Sequence, residues 1–340
     1  MSDEESSPTA GAGAATATNS PEKIQTAVES LTAIVPSLSI TSQSLLSNPN
    51  LYPQISTLLR KPNSGSGDNN LCRWLYDTFQ SGVPDLQLLV LRFLPLIAGV
   101  YLSRVADRKP QAGFEAVLLA LYAHETTSRA GQAVTVTIPD LTQPSVYHES
   151  KTPIKSNATE PNLAVVSPTL EPHGTVRSTR RARIVGVTLE LFYSKIAHMP
   201  ASSKVDFCEF CRIWAGQDGD MYKNFEENEN GNGSENREKE GSEMVVPKKV
   251  EGRVPLPWEL LQPVMRILGH CLLGPNNNKE VELFGAASEA CRCLFARGTH
   301  DVNPQAILPM RSLLRLSKTV MPNSNALDPT ELPVTDVISL

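Results

Sequence analysis

The sequence predicts an all-α protein, a single multi-helix domain with a small β-hairpin or extended pair near residues 133–148 and disordered insertions. Three observations lead to this prediction. Apolar residues recur every three or four positions in about ten segments, as on one face of a helix. Proline or glycine closes most of these segments. Two long stretches, 150–176 and 216–250, are polar and have no hydrophobic period, which is typical of disorder.

The first element follows an extension, residues 1–19, that is acidic and then rich in Ala, Ser and Thr. We expect this extension to be disordered, since it offers almost no apolar surface to bury. Ser20 is a suitable N-cap, and Pro21 occupies the first helical position, where proline is well tolerated. The sequence therefore predicts a first helix that begins at Ser20 and ends at Pro36.

Short helices are expected next, around the apolar residues of Ile40–Leu46 and Ile55–Leu59. The stretch 63–70, composed of Asn, Ser, Gly and Asp, is predicted to be a flexible loop. Helical spacing returns in Leu71–Phe79 and again in the largely apolar Phe114–His124. These segments predict helices that pack on a common core.

Leu86–Val105 is apolar nearly all round, as expected of a helix covered on most sides, and Pro95 should bend it. Part of this segment could be mistaken for a membrane span. Arg92 and Pro95 stand in its middle, and a central arginine costs roughly 2.5–3.5 kcal/mol in a bilayer. We therefore interpret it as a buried helix of a soluble protein.

An extended element interrupts the helices. Val134–Ile138 alternates β-branched residues with threonine and stops at Pro139. Ser145–His148 is the predicted second strand, returning beside the first. Such a pair is too small to be a sheet domain, so we expect it to lie on the helices.

The remaining helices alternate with the two predicted insertions. A helical domain is expected over residues 20–318, followed by a disordered tail at 319–340. The helices predicted in this half are Ala182–Met199, Val205–Ala215, Pro257–Leu273, Glu280–Phe295 and Pro304–Leu316.

The composition and the motifs of the chain limit the classes of function to be considered. A net charge of −5 disfavours a general nucleic-acid binder, which is usually basic. The N-terminus has no basic and apolar stretch of a secretory signal, so six cysteines indicate free thiols in a reducing compartment. Phosphate-loop, nucleophile-elbow and zinc-protease motifs are absent from the sequence. We expect no catalytic residue and no cofactor, and we do not expect the chain to be an enzyme.

Two closely spaced pairs of cysteines are candidates for a metal site. Cys208 and Cys211 form a C-x-x-C within an amphipathic helix, without the tight turn of a zinc knuckle. Cys291 and Cys293 are separated by about 200° on a helix, so both thiols cannot face one ion. We interpret these cysteines as buried packing residues and predict no metal site.

A basic run ends the first insertion. Arg177, Arg180, Arg181 and Arg183 lie within seven positions without an acidic residue. They can be a solvated loop end, a contact for anionic lipid headgroups, each charge then contributing about 1 kcal/mol, or a contact for an acidic protein.

Five segments, in this order along the chain, resemble the hyccin family: Leu91–Leu102, Gly113–Glu125, Val136–Glu149, Met199–Cys211 and Gly252–Leu268. VTIPDLTQPSVYHE, the third, is the most specific of them. The Ala/Ser-rich N-terminal extension, the long acidic insertion and the short tail differ from animal members. The chain is therefore similar to a plant-type member.

The resemblance implies a non-catalytic scaffold or regulatory subunit of a type III alpha phosphatidylinositol 4-kinase complex. Such a subunit packs against a tetratricopeptide-repeat scaffold protein, and a membrane-anchored subunit recruits the assembly. It would support phosphatidylinositol 4-phosphate synthesis from the cytoplasm and the cytosolic face of the plasma membrane, as a peripheral protein that binds no nucleic acid. The alternative is a peripheral membrane adaptor that binds anionic lipid directly through the basic loop.

Within the most specific segment, Pro144, Tyr147, His148 and Glu149 are candidates for a partner contact or for a structural staple across the helices. A histidine beside a glutamate is usually an ordinary surface pair, and no nucleophile lies close in sequence. We therefore expect a packing role for this pair and no chemistry.

Overall fold

The structure is a computed structural model, and it describes residues 20–36, 48, 50–106, 108–138, 162–172, 176–177, 180–217, 255–274 and 280–320. Within these ranges the chain forms eleven α-helices, one 3₁₀ turn and one two-stranded antiparallel sheet. The predicted all-α fold with a small extended pair is confirmed. The predicted N-terminal extension and the Ile40–Leu46 helix lie outside the described residues.

Six helices precede the sheet: α1 (Ser20–Ile34), α2 (Leu51–Arg60), α3 (Asn70–Gln80), α4 (Pro84–Arg92), α5 (Leu94–Ala106) and α6 (Ala112–Ser128). The strands are β1 (Val134–Ile138) and β2 (Asn162–Ser167). The helices that follow are α7 (Arg181–Ser194), the 3₁₀ turn Ile196–His198, α8 (Ala201–Ala215), α9 (Trp258–Leu273), α10 (Val281–His300) and α11 (Pro304–Val320).

The first helix is held on α3 by one apolar stripe and two specific hydrogen bonds. The indole Nε1 of Trp74 donates to the backbone oxygen of Ala27 at 2.9 Å. Lys23 Nζ donates to the backbone oxygen of Ser81, also at 2.9 Å. Leu31, completely buried, adds the apolar part of the contact.

The long apolar segment is two helices where the sequence predicted one bent helix. α4 and α5 meet at Phe93 with a bend of 45°. Pro95 cannot donate a hydrogen bond to the carbonyl four residues earlier, that of Leu91, so the ladder is interrupted there. Instead, Phe93 donates to Val90 at 3.0 Å, and the break places the Phe93 side chain in the core.

The core lies where α5, α7, α8, α9 and α10 meet. Phe192 of α7 and Phe207 of α8 are fully buried and stack with their ring centroids 6.3 Å apart. α7 and α9 approach most closely at Gly186, where a Cβ atom would lie 2.2 Å from the backbone oxygen of Glu259. Only glycine permits this distance, so Gly186 sets the spacing of the two helices.

The stretch 63–70 is not the exposed flexible loop that its composition suggested. Ser64 is 2 % exposed and Gly65 is buried. The Gly65 oxygen accepts a hydrogen bond from the backbone N–H of Gly113 at 2.9 Å, at the start of α6. The glycines here permit close backbone contact, and Arg104 binds the same loop from α5.

β1 and β2 form a ribbon in which Val136 lies opposite Ala164 and Thr137 opposite Leu163. The prediction that Ser145–His148 pairs with β1 is wrong, since β2 occupies that place. Ser145–His148 itself lies outside the described residues. The predicted loop 150–176 is likewise wrong for residues 162–167, because β2 runs there and its last residue, Ser167, is buried beside Glu190.

Candidate interaction surfaces

Four cysteines from three helices meet in the core: Cys208 and Cys211 of α8, Cys271 of α9 and Cys291 of α10. A hydrogen bond with Cys271 and burial raise the pKa of Cys208 well above its ordinary value. Burial likewise raises the pKa values of Cys211 and Cys291. The thiols of Cys208, Cys211 and Cys291 therefore remain neutral at physiological pH and act as small apolar groups.

Among the described residues, no group of three or more His, Cys, Asp or Glu side chains is placed to hold a metal ion. The helical C-x-x-C does bring Cys208 and Cys211 to one side of α8, toward α9 and α10. This side of α8 packs in the apolar core, where Cys211 and Cys271 are completely buried.

Three of the four predicted lipid-contact arginines bind groups of the protein itself. Arg180 forms an ion pair with Glu171, and Arg183 donates to the backbone oxygen of Thr169. Both acceptors belong to the chain that follows β2. Arg177 is exposed. Arg180 and Arg183 therefore hold the start of α7 against the segment after the ribbon.

Arg181 contacts a different part of the protein, the helices α5 and α6. Its Nε donates to the hydroxyl of Tyr101 at 3.1 Å, and its Nη2 lies 3.5 Å from Glu115 Oε1. The Tyr101 hydroxyl donates in turn to Glu115 at 3.0 Å, and burial raises the pKa of Tyr101 above its ordinary value. This triad joins α5, α6 and α7. Two of the four loop charges thus have a carboxylate partner.

The second set of predicted site residues, Pro144, Tyr147, His148 and Glu149, lies outside the described residues, and its role stays a prediction. The ribbon that leads into this segment has exposed apolar side chains. Val136 is 50 % exposed, Leu163 58 % and Val165 59 %. Exposed apolar residues concentrated on one small element are typical of a contact surface.

A charged cluster that the sequence did not reveal joins α2 and α8. Arg60 Nη2 lies 2.9 Å from Asp206 and 3.1 Å from Glu209, and Tyr52 also hydrogen-bonds Asp206. Burial raises the pKa of Asp206. Beside it is a cavity of about 70 Å³, with exposed Ile213 at its rim. Arg60 and Asp206 are 146 residues apart, so no local pattern could have indicated their contact.

A second groove, of about 380 Å³, lies between α1 and α3. Polar and charged groups line most of it, including Glu22, Lys23 and Asp77. Lys23 already donates to the backbone of α3. The groove is therefore the open side of the contact between α1 and α3.

The last helix, α11, has a third surface. Ala306, Met310 and Leu314 are buried against α9 and α10. On the opposite side, Leu308 is 67 % exposed and Leu316 50 %. The exposed cations of this side are Arg311, Arg315 and Lys318. Sequence analysis predicted the helix but did not consider its outer face, although the spacing of these residues could have indicated it.

No single helix within the described ranges is both long and apolar enough to cross a bilayer. The bent pair α4–α5 meets the length and composition criteria only when its two helices are counted together.

Comparison with known protein families identifies the family to which the chain belongs. The family model for hyccin matches residues 36–338, which is most of the chain and includes every described element except α1. All five segments on which the resemblance rested lie within the matched range. The chain belongs to the hyccin family.

Proposed function

We propose that this protein is a non-catalytic scaffold or regulatory subunit of a type III alpha phosphatidylinositol 4-kinase complex. In this proposal it packs against a tetratricopeptide-repeat scaffold protein, and a membrane-anchored subunit recruits the assembly to the cytosolic face of the plasma membrane. The observation that carries the proposal is the hyccin-family match over residues 36–338.

The described surfaces support a role in assembly. The ionisable clusters at Arg60, Arg104 and Arg181 all join one helix to another element of the same chain. Such clusters orient helices. The apolar residues that remain exposed, on the ribbon and on α8, are suited to a protein partner.

A repeat scaffold can accommodate a helical domain in its concave groove, and contacts of this permanent kind commonly bury more than about 2,000 Å². A partner that binds only the folded scaffold also stabilises it, by about 3–4 kcal/mol at 100–1,000 times the dissociation constant. Loss of this protein should therefore lower the abundance of the scaffold and of the kinase that it holds.

The test is an affinity purification of the chain, tagged at its own locus, with an untagged cell line as the control. A repeat scaffold and a lipid kinase should co-elute in a fixed ratio. Deleting the chain should lower the level of both, and re-expression should restore it. The proposal is wrong if the chain elutes alone, or if scaffold and kinase levels do not respond to its loss.

The alternative function, a membrane adaptor that works through the basic loop, receives less support. Arg180, Arg181 and Arg183 each bind an acceptor within the protein, which lowers the charge that the loop presents to a membrane. The first candidate is therefore preferred.

A further inference from the structure

We propose that the β1–β2 ribbon inserts into an apolar cleft of the tetratricopeptide-repeat scaffold, so that both faces of the ribbon are covered in the complex. The inference rests on the proposed function and adds to it the part of the chain that makes the contact and the kind of surface that it meets. The residues that carry it are Val136 of β1 and Leu163 and Val165 of β2, each of which is half exposed or more.

The register of the ribbon places these side chains on opposite faces. Successive residues of a strand point to opposite sides, and residues that pair across the ladder share a side. Val136 pairs with Ala164, whereas Leu163 and Val165 pair with the two threonines of β1. Val136 therefore lies on one face, and Leu163 and Val165 lie on the other. Because exposed apolar side chains stand on both faces, the helices of the domain cover neither face completely.

The base of the ribbon, in contrast, is fixed to the domain. Ser167, the last residue of β2, is 1 % exposed. Beyond it, the N–H of Leu170 donates to the Gly131 oxygen at 2.8 Å, and the Tyr122 hydroxyl of α6 donates to the Glu171 oxygen at 3.0 Å. These contacts join the chain on either side of the ribbon and attach it to α6, so the ribbon has a set direction. A contact surface that is preorganised in this way loses less conformational entropy on binding.

The backbone of the ribbon favours a protein over a bilayer as the occupant. Among the described residues no third strand pairs with the ribbon, so each strand has an outer edge of backbone donors and acceptors, which is costly in hydrocarbon. Neither strand, VTVTI or NLAVVS, contains a charged residue that could bind lipid headgroups. A protein cleft can offer apolar side chains to the faces together with hydrogen-bonding groups at the edges. We expect the cleft to be uncharged, like the ribbon.

The size of the ribbon argues against a second copy of the chain as the occupant. Strands of five and six residues are about 17–20 Å long, and a two-stranded ribbon is about 10 Å wide, so each face has an area of about 200 Å². Two copies that meet through one face each would bury about 400 Å², well below the roughly 1,200 Å² of a stable, specific interface. A cleft that receives both faces would bury about 800 Å², counting both proteins, which is about half of a standard interface. The helical domain beside the ribbon can supply the rest.

The test measures binding of the purified full-length chain to the purified repeat scaffold that co-elutes with it. The variant Leu163→Thr/Val165→Thr changes one face of the ribbon, and Val136→Thr changes the other. Threonine is used because it retains a high preference for strands. The double variant should bind on the order of 10–100-fold more weakly, and Val136→Thr on the order of fivefold more weakly. Since no charge changes, the ratio of wild-type to variant affinity should be the same at low and high salt.

The matched control is Val281→Thr/Val302→Thr, which makes the same kind of change at two positions outside the ribbon. These valines are 80 % and 79 % exposed. The control should bind the scaffold like the wild type. All of these substitutions alter exposed side chains, and thermal unfolding of each variant shows that it is folded.

Failure of the inference can be distinguished from failure of the proposed function. If the wild type does not bind a repeat scaffold, the proposed function is wrong and this inference with it. If the wild type binds and either face variant binds equally well, or the control loses as much binding, only the inference about the ribbon is overturned. Sedimentation velocity of the chain alone should show a monomer. A dimer that the ribbon variants abolish would overturn the inference and assign the ribbon to a second copy, and ribbon-dependent sedimentation with phosphatidylcholine vesicles would overturn it in favour of a bilayer.

Discussion

Replacing Arg104 by methionine should destabilise the domain by about 3 kcal/mol. Arg104 is 9 % exposed as a residue, and its guanidinium has four acceptors. Nη1 donates to Ser64 Oγ at 3.0 Å and to Gln111 Oε1 at 3.4 Å. Nη2 donates to the backbone oxygens of Arg60 at 3.3 Å and Lys61 at 2.6 Å. One side chain thus binds the end of α2, the loop after it and the start of α6.

The magnitude follows from what methionine leaves behind. It keeps most of the aliphatic stem but loses the guanidinium, whose Cζ lies 5.9 Å from the centroid of the Phe114 ring. The last carbonyls of α2, which are the negative end of the helix dipole, lose a charged donor. Each buried acceptor left without a partner costs about 1–3 kcal/mol, and water can reach some of them in the altered loop. A loss of about 3 kcal/mol corresponds to a fall of about 6–12 °C in melting temperature for a domain of this size.

The assay is urea and thermal unfolding together with amide hydrogen exchange. Arg73→Met on the exposed side of α3 is the matched control and should change stability by no more than about 0.5 kcal/mol. Exchange should accelerate at the amide of Ser64, which donates to the Lys61 oxygen at 3.0 Å. Equal melting temperatures for the two variants would refute the energetic argument. Unchanged exchange in the loop would refute the claim that Arg104 holds it.

Three further predictions concern packing and pH. Gly113→Ala would place Cβ 2.4 Å from the Ser66 backbone oxygen and should cost about 1–3 kcal/mol in urea unfolding; an unchanged midpoint would contradict the close approach. Trp74→Phe removes the hydrogen bond to the Ala27 oxygen and should speed amide exchange throughout α1 while leaving α9 protected; uniform acceleration would count against it. Burial raises the pKa of Glu190 above 4.5, so its stabilising effect is full below 4.5 and is lost as pH rises through the folded pKa. The free energy of unfolding of the wild type, minus that of Glu190→Gln, should therefore increase as pH falls from neutral toward 4.5, and a constant difference would disprove the shift.

The sequence was most informative where structure depends on near neighbours. Ser20–Pro21 at the start of α1 and Pro200 before α8 mark helix boundaries, because proline and cap residues act through their own backbone geometry. Pro95 was correctly associated with a bend in the apolar segment. Proline chemistry determines that a helix must be interrupted but not how sharply the two parts diverge, which depends on where Phe93 finds space in the core.

What the sequence could not predict depends on contacts between distant residues. β2 is only six residues long and pairs across a connection of more than twenty residues, so its alternation alone was too weak to identify it. The loop 63–70 has the composition of a flexible segment, yet Arg104 binds it from 40 residues away. Its glycines permit contact with α6 at Gly65, a use of glycine that composition alone does not distinguish from flexibility.

The candidate surfaces also combine features that the sequence shows with features that depend on distant contacts. Four clustered arginines were visible in the sequence, but their acceptors Glu171, Glu115 and Thr169 come from other elements, and the charge that a cluster presents depends on those acceptors. The residue spacing of α11 could also be read from the sequence. Which of its faces is exposed depends on the side that packs on α9 and α10, and the sequence does not show this.

Net charge and charge run length are therefore poor guides to a membrane contact in this fold. The start of α7 has a run of four arginines, but α7 must be joined to α5 and to the chain after the ribbon, and Arg180, Arg181 and Arg183 form those contacts. The charge that such a run can offer to a membrane depends on how many of its side chains the fold already binds, and in the described part of this chain three of the four arginines have acceptors within the protein.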